Sequence, residues 1–387
     1  MSDVTQDTLE VESSPLKKTL QWLSVVLLIY LLITAVGMIG AGFKGATKGH
    51  AEELFQYVTN PFMGLIIATL ATAMIQSSST VTSIIVGLVA GGLPVNLAIP
   101  MIMGANIGTT ITNTIVSLGH VRKNKEFRRA FAAATVHDFF NLMAVVIFLP
   151  IEIIFHPLEK VGNYLANLFI GGEDLSVKGF NFIKPITKPV ISTVQDISLS
   201  ITPQFGNILL IVLGIMIIFF VVIFIGKILR SLMVGRAKQI MHASIGKGPV
   251  SGITSGAIMT ILVQSSSTTT SLMIPLAGSG VFRLKQIYPF TLGANIGTTV
   301  TALLAATAVS GDHTVFALEI ALVHLVFNIS AVLFIYMIKP LRLIPTRGAM
   351  WLAKTASENK IYALAYLGFV FFLVPAVIII ISNNIGG

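Results

Sequence analysis

The sequence predicts an all-α integral membrane protein of two inverted-topology repeats, each with a re-entrant hairpin and a broken transmembrane helix. Three observations lead there. Of 387 residues, 54% are hydrophobic and 11% charged, against about 25% charged in soluble domains, so water cannot be the main solvent. Apolar runs of spanning length recur along the chain. And the chain matches itself in three places, with order and spacing kept.

In chain order, residues 1–18 read as a cytoplasmic tail. Asp3, Asp7, Glu10 and Glu12 stand there without a basic residue before Lys17, which is not the positive start of a secretory signal. Apolar runs follow at residues 20–43, 130–154, 205–226, 315–338 and 361–381. Each is long enough to cross about 30 Å of hydrocarbon, and the whole chain fits roughly eight to ten passes. Residues 61–119 and 249–310 are apolar but interrupted by Ser, Thr, Gly and Asn. Such breaks survive in lipid only inside protein or along a wet cavity. Residues 157–169, with Glu159 and Lys160, read as an interfacial amphipathic helix, and residues 171–203 as a charge-mixed external loop. The repeats are placed at 19–155 and 204–338, with 156–203 between them. Residues 339–387 form a basic cytoplasmic segment and a final span.

The internal matches define the repeat. Gln76-Ser77-Ser78-Ser79-Thr80 recurs as Gln264-Ser265-Ser266-Ser267-Thr268, and Gly104-Ala105-Asn106-Ile107-Gly108-Thr109-Thr110 recurs at 293–299. His137, Phe140 and Asn141 recur as His324, Phe327 and Asn328, and the three offsets are 188, 189 and 187 residues. Charge sets the orientation. Arg122, Lys123, Lys125, Arg128 and Arg129 form one basic cluster; Lys227, Arg230, Arg236, Lys238 and Lys247 a second; Lys339, Arg342, Arg347, Lys354 and Lys360 a third. Positive loops face the cytoplasm, which makes the copies antiparallel, as in inverted-repeat transporters. The scheme leaves the C-terminus outside. It also explains the net charge of +9 without nucleic acid. The absence of cysteine excludes disulfides and thiolate metal sites.

Residues 61–75, 81–90, 249–263 and 269–277 are too short to span and read as half-helices meeting at polar turns. A helix N-terminus offers unpaired N–H groups and about half a positive charge to an oxyanion. Gln76, Ser77, Ser78, Ser79, Gln264, Ser265, Ser266 and Ser267 are therefore the candidate phosphate-binding residues. Hard oxygen ligands suit sodium, and Gln76, Asn106, Thr110, Gln264, Asn295, Thr298 and Thr301 offer them near unwound backbone. Asp138 lies well inside a span, where a carboxylate marks a functional site by default. Structural readings stand beside these: interhelical packing for Ser and Thr, a fold-fixing pair of Asp138 with His137 or Arg128, hydrogen bonding for His137 and His324, and close helix approach for the repeated glycines. Glu319 is placed near the headgroups.

The paired Gln-Ser-Ser-Ser-Thr segments, the Gly-Ala-Asn-Ile-Gly-Thr turns, and residues 99–104, 111–116 and 126–141 resemble the type II sodium-dependent phosphate cotransporters. The resemblance implies symport of sodium with inorganic phosphate held between the two Gln-Ser-Ser-Ser regions. It also implies sodium sites drawing on Gln264, Ser265, Thr298 and Thr301. Sodium is then a co-substrate, and no cofactor is implied. Animal members carry a large disulfide-bonded, glycosylated external loop and cytoplasmic termini, whereas residues 171–203 hold no cysteine or sequon. Electrogenic members carry an aspartate upstream of the first hairpin, where this chain reads Gly49-His50-Ala51-Glu52-Glu53, so the stoichiometry stays open. The compact chain suggests a bacterial multi-pass protein of the cytoplasmic membrane, monomeric or homodimeric. Three competing readings remain: a carrier of another oxyanion, a channel, and an enzyme acting on phosphorylated lipid. The enzyme would need a nucleophile with a paired base or a metal cluster.

Overall fold

A computed structural model describes residues 15–46, 60–171, 183–244, 247–307, 309, 313–377 and 380. Most of the expected tail, 1–18, lies outside these residues. Every regular element among them is helical. The helices are α1 (Pro15–Ala46), α2 (Pro61–Ile75), α3 (Ser78–Ala90), α4 (Val95–Gly108), α5 (Ile111–Leu118), α6 (Asn124–Phe155), α7 (Pro157–Gly171) and α8 (Ile183–Ile201). They continue with α9 (Gly206–Ser244), α10 (Pro249–Val263), α11 (Ser266–Ser271), α12 (Met273–Ser279), α13 (Leu284–Ala306), α14 (Thr314–Ala331), α15 (Lys339–Glu358) and α16 (Ile361–Gly368). Wider π-helical turns, Val332–Tyr336 and Phe369–Leu373, extend α14 and α16.

Among the described residues, five stretches are long and apolar enough to cross a membrane: Leu16–Ala46, Val95–Leu118, Asn124–Phe155, Gly206–Leu229 and Thr314–Tyr336. Four of them contain, or nearly contain, the runs expected at 20–43, 130–154, 205–226 and 315–338. The last run is helical over Ile361–Val377, and its far end lies outside the described residues. Polarity is arranged inside out. Helix α9 presents Ile208, Val212, Met216, Phe220 and Ile223 outward, spaced as one helical stripe, which is what a lipid-facing surface requires. The interior instead holds Thr72, Asn106, Asn113, Thr135, His137, Asp138, Asn141, His324 and Asn328.

The two copies interlock. Helix α3 of the first packs on α13 and α14 of the second, while α11 and α12 of the second pack on α5 and α6 of the first. Within each copy the glycine motif sets the contact. A Cβ at Gly104 would collide with the carbonyl oxygen of Leu65 in α2, and one at Gly293 with that of Ile253 in α10. At Gly108 and Gly297 it would lie 2.6 Å from Thr69 O and Ala257 O. Small residues four apart let α2 approach α4, and α10 approach α13, to backbone contact.

Two expectations are corrected. The second Gly-Ala-Asn-Ile-Gly-Thr-Thr does not break its helix, because α13 runs continuously through residues 293–299. In the first copy the chain turns at Thr109–Thr110, where the Thr110 amide and hydroxyl both bond Ile107 O, at 3.3 and 2.8 Å. Thr299 makes the same hydroxyl bond to Ile296 O at 2.7 Å, so the motif alone does not dictate the break. What differs is the sequel: Asn113 accepts the Thr270 hydroxyl of the other copy at 2.9 Å, and Ala302 at the matching position has no side chain to do so. Second, the expected external loop contains the 19-residue helix α8, packed on α1 and α9. Its inner stripe, Thr187, Ile191, Val194 and Ser198, has helical spacing but half of it is polar, which hides it from hydrophobic periodicity.

Candidate functional site

The two Gln-Ser-Ser-Ser segments adopt the same local structure. Helices α2 and α10 end on Gln76 (φ 57°) and Gln264 (φ 54°), whose amides bond Thr72 O and Thr260 O, each at 2.7 Å. These are two of three non-glycine residues with left-handed backbone among the described residues. Such a conformation costs on the order of 1 kcal/mol and marks a position the surroundings over-determine. Ser77 and Ser265 then cap the next helices: their hydroxyl oxygens accept the amides of Thr80 (3.3 Å) and Thr268 (3.2 Å). Their hydroxyls also pair with those of Thr80 (2.8 Å) and Thr268 (3.0 Å). The next amides, of Ser78, Ser79, Ser266 and Ser267, belong to first turns and have no carbonyl in their own helices. All four residues are buried. Each tip thus offers two amides and two hydroxyls at the positive end of a helix.

The tips differ in their glutamines. Gln76 is exposed. Gln264 is half-buried; its Nε2 donates to Ile261 O (2.7 Å) and its Oε1 accepts from Thr301 (3.0 Å). Thr298, one turn earlier on α13, is buried and bonds back to Ala294 O at 3.0 Å. Gln264, Ser265, Thr298 and Thr301 therefore lie on or beside one tip, and the Gln264–Thr301 bond links α10 to α13.

Asp138 sits in α6 with 1% of its surface exposed. Its Oδ2 accepts from Tyr366 Oη (2.9 Å) and Thr114 Oγ1 (3.3 Å), and Thr110 is also within hydrogen-bonding reach. Its Oδ1 has no partner among the described residues. The alternative reading, a pair with His137 or Arg128, is not met among the described residues: hydroxyls surround the carboxylate, and no cation stands beside it. A buried, unpaired carboxylate costs several kcal/mol, so this cluster of oxygens is suited to receive one.

Asn106 and Asn295 lie elsewhere, in a polar seam between the copies. His137 Nε2 meets Asn295 Oδ1 at 2.6 Å, and Asn295 Nδ2 donates to Asn141 Oδ1 at 2.8 Å. The mirror set is His324 Nε2 with Asn106 Oδ1 at 3.2 Å, and Asn106 Nδ2 to Asn328 Oδ1 at 2.9 Å. Asn141 and Asn328 close the arrangement by donating to Asn106 O and His324 O, at 2.8 and 2.9 Å. The His–Asn and Asn–Asn side-chain pairs each join one copy to the other and follow the sequence repeat, whereas the two bonds to backbone stay within a copy. This leaves each of the two asparagine oxygens one lone pair beyond its histidine. Glu319, expected near the headgroups, is buried and accepts from Asn163 of α7 at 3.0 Å.

Sequence reasoning gave no role to Tyr366, Thr114 or Asn113, and noted Asn141 and Asn328 as a repeat without assigning either a partner. The recurrence of Asn141 as Asn328 in step with the histidines was a usable signal. Tyr366 had none, since it lies outside the repeats and 228 residues from Asp138.

Comparison with known proteins completes the picture. The model of the Na+/Pi-cotransporter family matches residues 31–171 and 216–374. Sodium-dependent phosphate transport protein 2B is similar to this chain at 34% identity in Pongo abelii and 33% in Homo sapiens, each over 90% of the chain and 63% of the relative. Sodium-dependent phosphate transport protein 2A of Rattus norvegicus is 34% identical over 92% of the chain and 66% of the relative. The chain thus spans about 63% of the length of the 2B proteins it matches. No solved structure matches it. Both matched segments contain one serine tip, one glycine motif and one His-Asn pair, and on these grounds the chain belongs to the Na+/Pi-cotransporter family.

Proposed function

We propose that the chain is a sodium-coupled carrier of inorganic phosphate that works by alternating access in the cytoplasmic membrane. The observation carrying this reading is the pair of serine tips, each a left-handed glutamine followed by a capping serine and two buried first-turn amides. Phosphate needs several donors at once, and Gln76, Ser77–Ser79, Gln264 and Ser265–Ser267 supply them without a cation. In this reading α2–α3 and α10–α12 are re-entrant hairpins entering from opposite faces, in repeats bounded at 19–155 and 204–338.

Sodium binds first and raises the affinity for phosphate. One sodium set comprises Gln264, Ser265, Thr298 and Thr301, with Gln76 at the matching place in the first copy. A second comprises Asp138 and Thr110. Asn106 and Asn295 contribute from the polar seam by holding the copies in register. The relatives' printed names, sodium-dependent phosphate transport proteins, support both co-substrates.

The test is uptake of radiolabelled phosphate by proteoliposomes under an inward sodium gradient and under an equal potassium gradient. Uptake confined to sodium, and not competed by sulfate, is the expected result. Equal uptake in both gradients rejects sodium coupling, and competition by sulfate rejects phosphate as the specific substrate.

A further inference from the structure

Away from the serine tips, at the end of the molecule where α6 begins, lies a cleft of about 530 Å³. Its walls come from α6, from the turn between α12 and α13, and from α15. Four cationic side chains line it: Lys125, Arg128, Arg129 and Arg283. Among the described residues no carboxylate pairs with any of them. The nearest acid in sequence, Glu126, is engaged by Lys123 at 2.9 Å and His120 at 3.7 Å. The turn facing them is shaped for this arrangement. Gly280 has φ 86°, a left-handed conformation that favours glycine, and Nη1 of Arg129 lies over it where a Cβ would sit.

Four like charges around one concavity repel one another and raise the local potential, and a bound anion removes that cost. Three of the four are guanidinium groups, whose planar donor forks match phosphate oxygens. The cleft also lies at the foot of α11 and α12, the arm that starts at the second serine tip. Fourteen residues from Ser266 to Ser279 at about 1.5 Å each place tip and cleft roughly 20 Å apart.

We infer that this cleft is a second anion site, separate from the serine tips, that holds a phosphate group. The group is carried either by free inorganic phosphate leaving the second tip or by the headgroup of a phosphomonoester lipid. The first source rests on the carrier reading above, whereas the second does not.

The test uses the full chain in phosphatidylcholine nanodiscs in sodium-free potassium buffer, where a sodium-dependent transport site stays silent. Labelled inorganic phosphate is expected to bind weakly and to be displaced by rising ionic strength. The variant Arg128→Gln/Arg129→Gln/Arg283→Gln is expected to bind at least about tenfold more weakly, the sum of several exposed ion pairs. The charge-retaining variant with lysine at the same three positions is expected to keep most of the binding. A parallel arm adds phosphatidic acid to the nanodiscs and follows lipid retention by native mass spectrometry. Phosphate binding without selective lipid retention identifies free phosphate. Selective retention of phosphatidic acid, lost in the glutamine variant, identifies the lipid. The inference is overturned if the wild type shows neither, or if the glutamine variant matches it in both. Sodium-gradient uptake is scored separately, so loss of transport with intact cleft binding counts against the carrier reading alone.

Discussion

Replacing Asp138 by asparagine removes one charge from the interior and almost nothing else. The side chain keeps its size, and its amide oxygen can still accept from Tyr366 and Thr114, which now bond Oδ2 at 2.9 and 3.3 Å. Those bonds weaken from charge-assisted to neutral, a loss of about 1 kcal/mol. The effect on a bound cation is larger. Two unit charges about 3 Å apart attract by roughly 5–6 kcal/mol at an effective dielectric near 20. The amide oxygen of the variant still ligates sodium and keeps part of that attraction, so the net loss of sodium affinity is about 2–3 kcal/mol, or roughly 30- to 150-fold. The sodium-free wild type carries an unpaired buried carboxylate at a cost of several kcal/mol, which Asp138→Asn relieves.

Two assays read this out. The half-saturating sodium concentration for phosphate uptake is expected to rise by that factor. Sodium is also expected to raise the melting temperature of the wild type, because a ligand that binds only the folded state stabilises it. The variant is expected to keep only the part of this response that the Gln264 set supplies, and its sodium-free melting temperature is no lower than the wild type's. Normal sodium activation in a well-folded Asp138→Asn protein would refute the assignment of this carboxylate to sodium.

The other predictions concern separate parts of the fold. Gln264→Ala removes the acceptor of the Thr301 hydroxyl and is expected to raise the half-saturating sodium concentration by about tenfold, with expression retained; unchanged sodium activation contradicts it. Asn295→Ala leaves His137 Nε2 and Asn141 Oδ1 without partners, a cost of about 2–5 kcal/mol for two buried groups. Asn106→Ala does the same to His324 and Asn328, so the two variants should lose similar thermal stability, and a neutral effect of either one contradicts the seam. Gly293→Ala drives a methyl group into the Ile253 carbonyl and is expected to cost about 1–3 kcal/mol or more. Gly368→Ala, with open space around it, should be tolerated; equal melting temperatures for the two would argue against close approach.

How much was legible in the sequence depended on whether a signal was local. The long runs could be read because a helix in lipid must be apolar over its whole crossing, and four of them fall where expected. The half-helices were legible from proline at their starts and polar residues at their ends: Pro61 and Pro249 stand at the first helical position, and Gln76 and Gln264 end the helices. Helix α8 was not legible, because Thr187 and Ser198 occupy positions where apolar residues would have revealed its buried stripe. The continuous α13 was misread because identical motifs, Gly104–Thr110 and 293–299, were assumed to have identical backbones. After the motif the copies diverge, with Asn113 where the second has Ala302, and Asn113 accepts the Thr270 hydroxyl of the other copy, a contact the motif itself does not reveal.

The candidate site divides the same way. The serine tips could be found by aligning the chain with itself. The partners of Asp138 could not, since Tyr366 reaches it from outside both repeats. The roles of Asn106 and Asn295 were intermediate: their recurrence was visible, but their engagement with the repeated histidines emerges only once the copies are packed.

The carrier reading requires the two serine tips to form one binding site. The chain has no cysteine, so Ser79→Cys and Ser267→Cys each introduce a single thiol whose labelling by a charged maleimide can be timed. Phosphate and sodium together are expected to slow labelling at both positions, while phosphate with potassium slows neither. Protection at one tip only, or at neither, would contradict a shared site.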